Sequence, residues 1–338
     1  MTVVTSNNYW NVVFDELMEE IEENGKAKYL LLEKKYKQTI DRIEERIRFF
    51  YGKYATNNKI SLKTAYRKLD KEHLEMFHDL IESYIKYWDN QKVSEKDTDE
   101  KDTTVRENRT VEDVRENRTT DSLSDTSDWV ETLKSYRDRT EVSQYESLLI
   151  PIIQEVEVVS NETSNELLAL LVLTGWKVHY DITKNLKIQV LSQEQLKSEL
   201  LKAWSADNMN LYERFNVNKA KLSTAVKSAL IQSFRNEASV DDVVTEISKV
   251  MGISENAAKR LVLTENAHFN THSTYLALKQ GGYTHYRYIC RLLPTSCEDC
   301  IALHNTVFPM EMYEAGITSP PLHPNCLCYI EGVNNGDN

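Results

Sequence analysis

Apolar side chains recur at helical spacing through most of residues 9–88. Trp10, Val13, Phe14, Leu17, Met18 and Ile21 fall on one face, the i, i+3, i+4 pattern of an amphipathic helix. Asn24-Gly25 predicts a break there, because glycine costs a helix interior about 1 kcal/mol against alanine. A longer stripe follows, with Leu32, Tyr36, Ile40, Ile43, Ile47, Phe50 and Tyr54 on one side. Asp41, Glu44, Glu45, Arg46 and Arg48 fall largely off it. Ser61 is placed to cap a third helix, whose apolar side carries Leu62, Ala65, Leu69, Phe77, Leu80, Ile81, Tyr84 and Trp88. Faces this broad need a partner surface. Packing against one another is the weightier reading, and docking of another protein is the second.

Ser94 to Asp128 breaks the pattern. It is rich in Asp, Glu, Thr, Ser, Asn and Arg, and Val105-Arg-Glu-Asn-Arg-Thr110 recurs as Val114-Arg-Glu-Asn-Arg-Thr119. Such a stretch buries too little apolar surface to offset its ordering entropy, so a flexible linker is expected over 91–128. Helical patterning resumes at Trp129. Leu148–Ile153 and Leu167–Leu173 read as the most buried segments, and Lys187–Leu191 as a short strand. Helices are expected at about 192–203 and 219–235. Another should cover Asp241–Val250, with Ser239 or Asp241 near its start. A long helix capped by Ser254 should then run to Gly281-Gly282. After Gly282 the chain turns aromatic and short-stranded, with Tyr283, Tyr286, Tyr288 and Ile289.

Composition fits this mostly helical reading: 338 residues carry only 9 Gly and 6 Pro. No apolar run approaches the roughly 20 residues of a membrane span. The opening Met1–Ser6 lacks the charged and apolar regions of a secretory signal, so a reducing cytoplasm is expected. The net charge is −12, from 41 Lys+Arg and 53 Asp+Glu. Ser94–Asp128, with 12 acidic and 6 basic residues, carries half of it. Broad wrapping of nucleic acid is disfavoured, because counterion release needs many basic side chains on one surface.

The chemistry gathers near the C-terminus. Cys297-Glu-Asp-Cys300 is followed, after 22 residues, by His323-Pro-Asn-Cys326-Leu-Cys328. A C-x2-C turn presents two thiolates to one ion, and H-x2-C-x-C offers three further ligands. Two such half-sites are the usual construction of a closed, structural, tetrahedral zinc site. Cys297, Cys300 and Cys326 are placed first; His323 and Cys328 compete for the fourth position, with His304 as a weaker alternative. The fifth cysteine, Cys290, lies just upstream. A disulfide pair or reduced buried thiols are the other readings, and disulfides fit a cytoplasmic product poorly. Pro320-Pro321 stiffens the approach to the second half-site, and Gly316 supplies a turn. Thr264-Glu265, with Arg260 a turn earlier, is a second polar group, read as a buried contact to the cysteine knot or as a catalytic Glu265. No second carboxylate or Ser/His/Asp set lies near it in sequence, and no phosphate loop, H-E-x-x-H or nucleophile elbow occurs. A non-enzymatic protein is expected.

Several of these residues together resemble one known family. They are Arg260-Leu-Val-Leu-Thr-Glu265, the Tyr275 helix ending at Gly281-Gly282, Cys297-x2-Cys300, and Gly316-x3-Pro-Pro-Leu-His-Pro-Asn-Cys-Leu-Cys328. They look like the phage head morphogenesis, or Mu F-like minor head protein, family. Asn8-Tyr-Trp10 and the helical run to Phe49-Phe-Tyr51 resemble the N-terminal module of such proteins from phages of Gram-positive bacteria. The resemblance covers about 210–332 well and about 1–90 loosely. Leu293 and Thr295 stand where the family usually has an Asp and a basic residue, His304-Asn305 where it has Asp-Gly, and Leu327 where it commonly has Arg. The acidic insertion lies outside the family pattern.

The resemblance implies a minor virion component in few copies, associated with the portal protein inside the capsid and present in the host cytoplasm during assembly. It also implies roles in procapsid assembly and, in some relatives, in DNA packaging or delivery. Scaffolding protein, major capsid protein and weakly held phage DNA are further partners in that picture. Some relatives carry ADP-ribosyltransferase toxin domains beyond the knot; with ten residues after Cys328, none is expected here. The rival readings are a host-directed enzyme using Glu265 and a zinc-ribbon nucleic-acid binder. The second is disfavoured because Cys297–Cys328 contains no Lys or Arg. The expected organisation is a helical partner-binding module at 1–90, a linker at 91–128 and a helix-rich middle at 129–210. An α+β minor head domain at 211–332 and a tail at 333–338 complete it.

Overall fold

The computed structural model describes residues 6–101, 127–205 and 207–333. It is mainly helical: α1 (Ser6–Tyr54), α2 (Leu62–Ala65), α3 (Lys71–Lys101), α4 (Ser127–Arg137), α5 (Gln144–Leu186), α6 (Gln193–Leu200), α7 (Leu211–Arg235) and α8 (Val240–Gln280). Strands β1 (His285–Ile289), β2 (Val307–Pro309) and β3 (Tyr329–Val333) follow, with the short α9 (Glu298–Leu303) between β1 and β2. Two compact units result. One is built from Met1–Lys35, Thr163–Asn218 and Ile253–Asn338, the other from Tyr36–Glu162 and Lys219–Gly252. Among the described residues no helix is long and apolar enough to cross a membrane.

In the second unit the apolar stripes read from sequence do form the core. Ile43, Ile47 and Phe50 of α1, Ile81 and Trp88 of α3, and Leu148 and Ile152 of α5 are all buried. Gln154 accepts hydrogen bonds from Trp88 Nε1 (3.0 Å) and Trp129 Nε1 (2.7 Å), which keeps two buried indoles satisfied. Arg42 and Arg46 share the buried carboxylate of Glu155.

Four local expectations are corrected. Asn24 and Gly25 lie inside an unbroken α1; a glycine penalty of about 1 kcal/mol is smaller than the 1.5–3 kcal/mol gained by burying one large apolar side chain on the same helix. The third helix is two. Ser61 does cap α2, accepting from Thr64 N, but residues 67–69 leave the helix to pair with 142–144, and Asp70 accepts from His73 N to start α3. Lys187–Leu191 is no strand. Lys187 takes a left-handed φ of 55° and Ile188 N donates back to Thr183 O, which stops α5. Ser254 does not begin a helix, because α8 runs through it from Val240; the buried face Val243, Ile247, Met251, Ala258 and Val262 continues across Gly252. The cap of α8 is Ser239, paired reciprocally with Asp242. Of the expected linker, 91–101 and 127–128 are helical. Residues 102–126 and both copies of the hexapeptide lie outside the described residues, as does 334–338.

In the first unit α8 ends as its glycines predict. Gly282 adopts φ +79°, and Tyr283 N reaches back to Leu278 O. The chain then enters β1, the centre of an antiparallel sheet in the order β2-β1-β3. His285 pairs with Pro309 on one side and Val333 on the other. Strand alternation sends Tyr286 and Tyr288 inward, both fully buried. Tyr286 packs with Val178, Ile182, Leu278 and Ile330, while Tyr288 faces the cysteines.

Lys28 of α1 is buried in this unit, donating to Thr174 Oγ1 (3.0 Å) and Asn266 Oδ1 (2.6 Å). Burial lowers its pKa to about 7. A folded pKa below the unfolded value of 10.5 means the folded state binds fewer protons between those limits, so stability rises with pH from about 7 to 10. One proton corresponds to about 1.4 kcal/mol per pH unit. Lys28→Met should remove this component: denaturant unfolding at pH 7, 8 and 9 is expected to give a shallower rise for the variant than for the wild type.

Candidate metal centre

The first half-site is made by α9. Cys297 occupies the N-cap position, where its sulfur accepts from Cys300 N at 3.4 Å, so one helical turn brings both thiols to the same side. The second half-site is the turn His323-Pro324-Asn325-Cys326. It is closed by Cys326 N donating to His323 O (3.2 Å), with Asn325 in the left-handed region at φ 62°. Cys328 then leads into β3.

These turns converge. The ligand atoms of Cys297, Cys300 and His323 lie within 4.8 Å of one another, and so do those of Cys300, Cys326 and Cys328. Cys300 belongs to both sets. Its sulfur is 3.8 Å from Cys326 Sγ and 3.3 Å from His323 Nε2. A tetrahedral ion with metal–sulfur bonds of about 2.3 Å and metal–nitrogen bonds of about 2.0 Å requires S···S and S···N edges of ~3.8 Å and ~3.5 Å. The Cys300–Cys326 spacing matches such an edge, and the donors close as two overlapping groups of three that share Cys300. His323 is also oriented for such an ion: Nδ1 lies 2.9 Å from Pro324 O, an acceptor, so Nδ1 carries the proton and Nε2 turns its lone pair toward Cys300.

The thiols also set one another's protonation. A hydrogen bond from Cys328 lowers the Cys326 thiol to about 5. Burial pushes Cys300 up to about 12, and the bond to Cys326 with burial raises Cys328. Tyr288 donates its hydroxyl to Cys300 Sγ at 3.3 Å. One thiolate is stabilised by neighbours that then stay protonated. A bound dication is what allows several thiolates side by side. The acids on α9, Glu298 and Asp299, and the lack of any Lys or Arg from Cys297 to Cys328 favour a cation here.

All five cysteines are free thiols. Cys290 is buried beside the cluster, with its sulfur accepting from Leu292 N. His304 is turned away from the ligand atoms: its Nδ1 accepts from Cys290 N at 3.2 Å. The Thr264-Glu265 pair divides its roles. Thr264 makes the contact to the knot, accepting from Asn325 N at 3.3 Å. Glu265, 1% exposed, instead binds the Arg214 guanidinium and Trp204 Nε1 (3.1 Å). Arg214 also binds Asp207 (2.8 Å), and Trp204 stacks on His268 at 4.5 Å. Arg260 is exposed and makes no bond to Glu265. Arg214 and Trp204 were not legible as partners of Glu265, since no spacing rule links positions 51 and 61 apart in sequence.

The fold and site define a class: a mainly helical protein whose C-terminal three-stranded sheet is closed by a Cys/His cluster able to hold a metal ion. Comparison with protein-family models, with curated proteins and with solved structures finds no significant match to any of them.

Proposed function

We propose that this chain is a minor head protein of a tailed phage, bound to the portal and acting in procapsid assembly. On this reading a structural zinc ion sits in the Cys297/Cys300/His323/Cys326/Cys328 cluster. The observation that carries the reading is the ordered signature of a C-x2-C and a G-x3-P-P-L-H-P-N-C-L-C element following the R-x3-T-E helix. The convergence of both half-sites on Cys300 supports the metal. Thiolates with an imidazole suit zinc, and with this many protein ligands the site is closed, so the ion stabilises rather than reacts. The N-terminal helices supply the partner surface. The protein resides inside the capsid near the portal, and in the host cytoplasm during assembly. Scaffolding or major capsid protein and DNA are secondary contacts, and DNA packaging or delivery is a secondary role.

Glu265 supports this non-enzymatic reading over a catalytic one. Its carboxylate is buried and spent on Arg214 and Trp204, with neither oxygen left open to a substrate. Co-expression with the neighbouring portal protein and pull-down should recover a complex that depends on residues 1–90; no complex, or one indifferent to their truncation, would sink the portal role. Metal analysis of the purified chain should find about one zinc per chain.

A further inference from the structure

We infer that Thr264 is a positioning residue for the metal-binding turn, acting through the backbone of Asn325 without touching the ion. This rests on the metal reading of the Cys/His cluster. His323 and Cys326 hang from the same four-residue turn, 323–326. Asn325 sits at its apex in the left-handed region, and its N–H points out of the turn to Thr264 Oγ1 at 3.3 Å. The Thr264 hydroxyl donates its own proton to Arg260 O at 2.7 Å. That donation fixes the rotamer and leaves an oxygen lone pair aimed at the turn.

The partner is a rigid one. Thr264 is followed by Glu265, which Arg214 and Trp204 hold in place from the 204–214 segment. His268, one turn on, is stacked against Trp204. One turn of α8 is therefore immobilised by side chains that have no part in the cluster, and the ligand turn is hydrogen-bonded to that stretch. Groups that orient a ligand from outside the coordination shell set metal affinity because they settle the ligand's position before the ion arrives. Their loss costs about 10- to 100-fold in affinity.

Thr264→Val keeps the branched shape and loses the acceptor. Thr264→Ala does so on a helix that alanine favours, and serves as the reading if the valine variant fails to fold. Thr264→Ser restores the acceptor. Asn325→Gly keeps the N–H and tolerates the positive φ. Zinc affinity of the full chain is measured by chelator competition, and coordination by the visible absorption of the cobalt-loaded protein. Thr264→Val and Thr264→Ala should bind zinc about 10-fold or more weakly. Thr264→Ser and Asn325→Gly should stay close to the wild type, and all should share its cobalt spectrum at saturation. Wild-type affinity in the valine and alanine variants would overturn the inference, as would an equal loss in the serine variant. A wild type that takes up no metal would remove the metal reading itself, and this inference with it.

Discussion

Cys300→Ser is expected to abolish stoichiometric metal binding and to lower Tm by ~10 °C or more. Cys300 is the one group common to both ligand sets, and its sulfur contacts His323 and Cys326 directly. No arrangement of the remaining four groups replaces it at the centre. For small structural sites metal binding is folding free energy, on the order of 10 kcal/mol. Even a third of that shifts the Tm of a unit this size by roughly 10 °C. Removing metal from the wild type with a chelator should reproduce the variant's Tm, while the same chelator should leave the variant unmoved. His304→Ala is the contrast. It removes an acceptor for Cys290 N, worth about 1 kcal/mol, and should retain the metal. Metal analysis with calorimetry reads both, and a Cys300→Ser protein that still holds one ion per chain would refute the assignment.

Arg214→Met should cost about 3–5 kcal/mol, because it leaves a buried carboxylate without its partner. Arg214 and Glu265 are 11% and 1% exposed at their side chains. Burial already raises the Glu265 pKa, with Arg214 opposing that rise. Without Arg214 the carboxyl moves further up. A folded pKa above the unfolded one gives stability that is present at low pH and lost as pH rises through the folded value. The variant's deficit should therefore be larger at pH 8 than at pH 5, which urea unfolding at the two values measures. Arg214→Met combined with Glu265→Leu should recover much of the loss, since replacing both partners of a buried pair by apolar groups is often nearly neutral. A pH-independent deficit would show that packing of the arginine stem, not the ion pair, is what the substitution removes.

The helices were legible because burial of one face imposes a 3.6-residue period on any chain. Ile43, Ile47 and Phe50, or Leu148 and Ile152, could be placed in a core with no knowledge of what they touch. Helix ends were legible where a side chain or a glycine has only local work to do, as at Ser61 and Gly282. They were misread where tertiary packing outweighs a local preference of about 1 kcal/mol. Gly25 and Ser254 both carry a stop or start signal, and both sit inside helices whose apolar face runs on past them.

The cysteine/histidine site divides in the same way. Residue type and spacing within each half-site determined the donor set, because a ligand turn is closed by three or four consecutive residues. Which donors meet was decided by the sheet and α8. β1 sends Tyr288 against Cys300, His304 is drawn off to the backbone of Cys290, and Thr264 holds the second turn. Glu265 was legible as a buried polar residue on α8, while its partners were hidden. Arg214 and Trp204 lie 51 and 61 residues away in sequence, and the charge of a single arginine carries no periodic trace. By itself the sequence determined most of the helical faces and the residue types of the two half-sites, which depend on neighbours along the chain. Only the tertiary structure decided the ion-pair network and the geometry of the cluster, because both are made of contacts between segments that no local pattern connects.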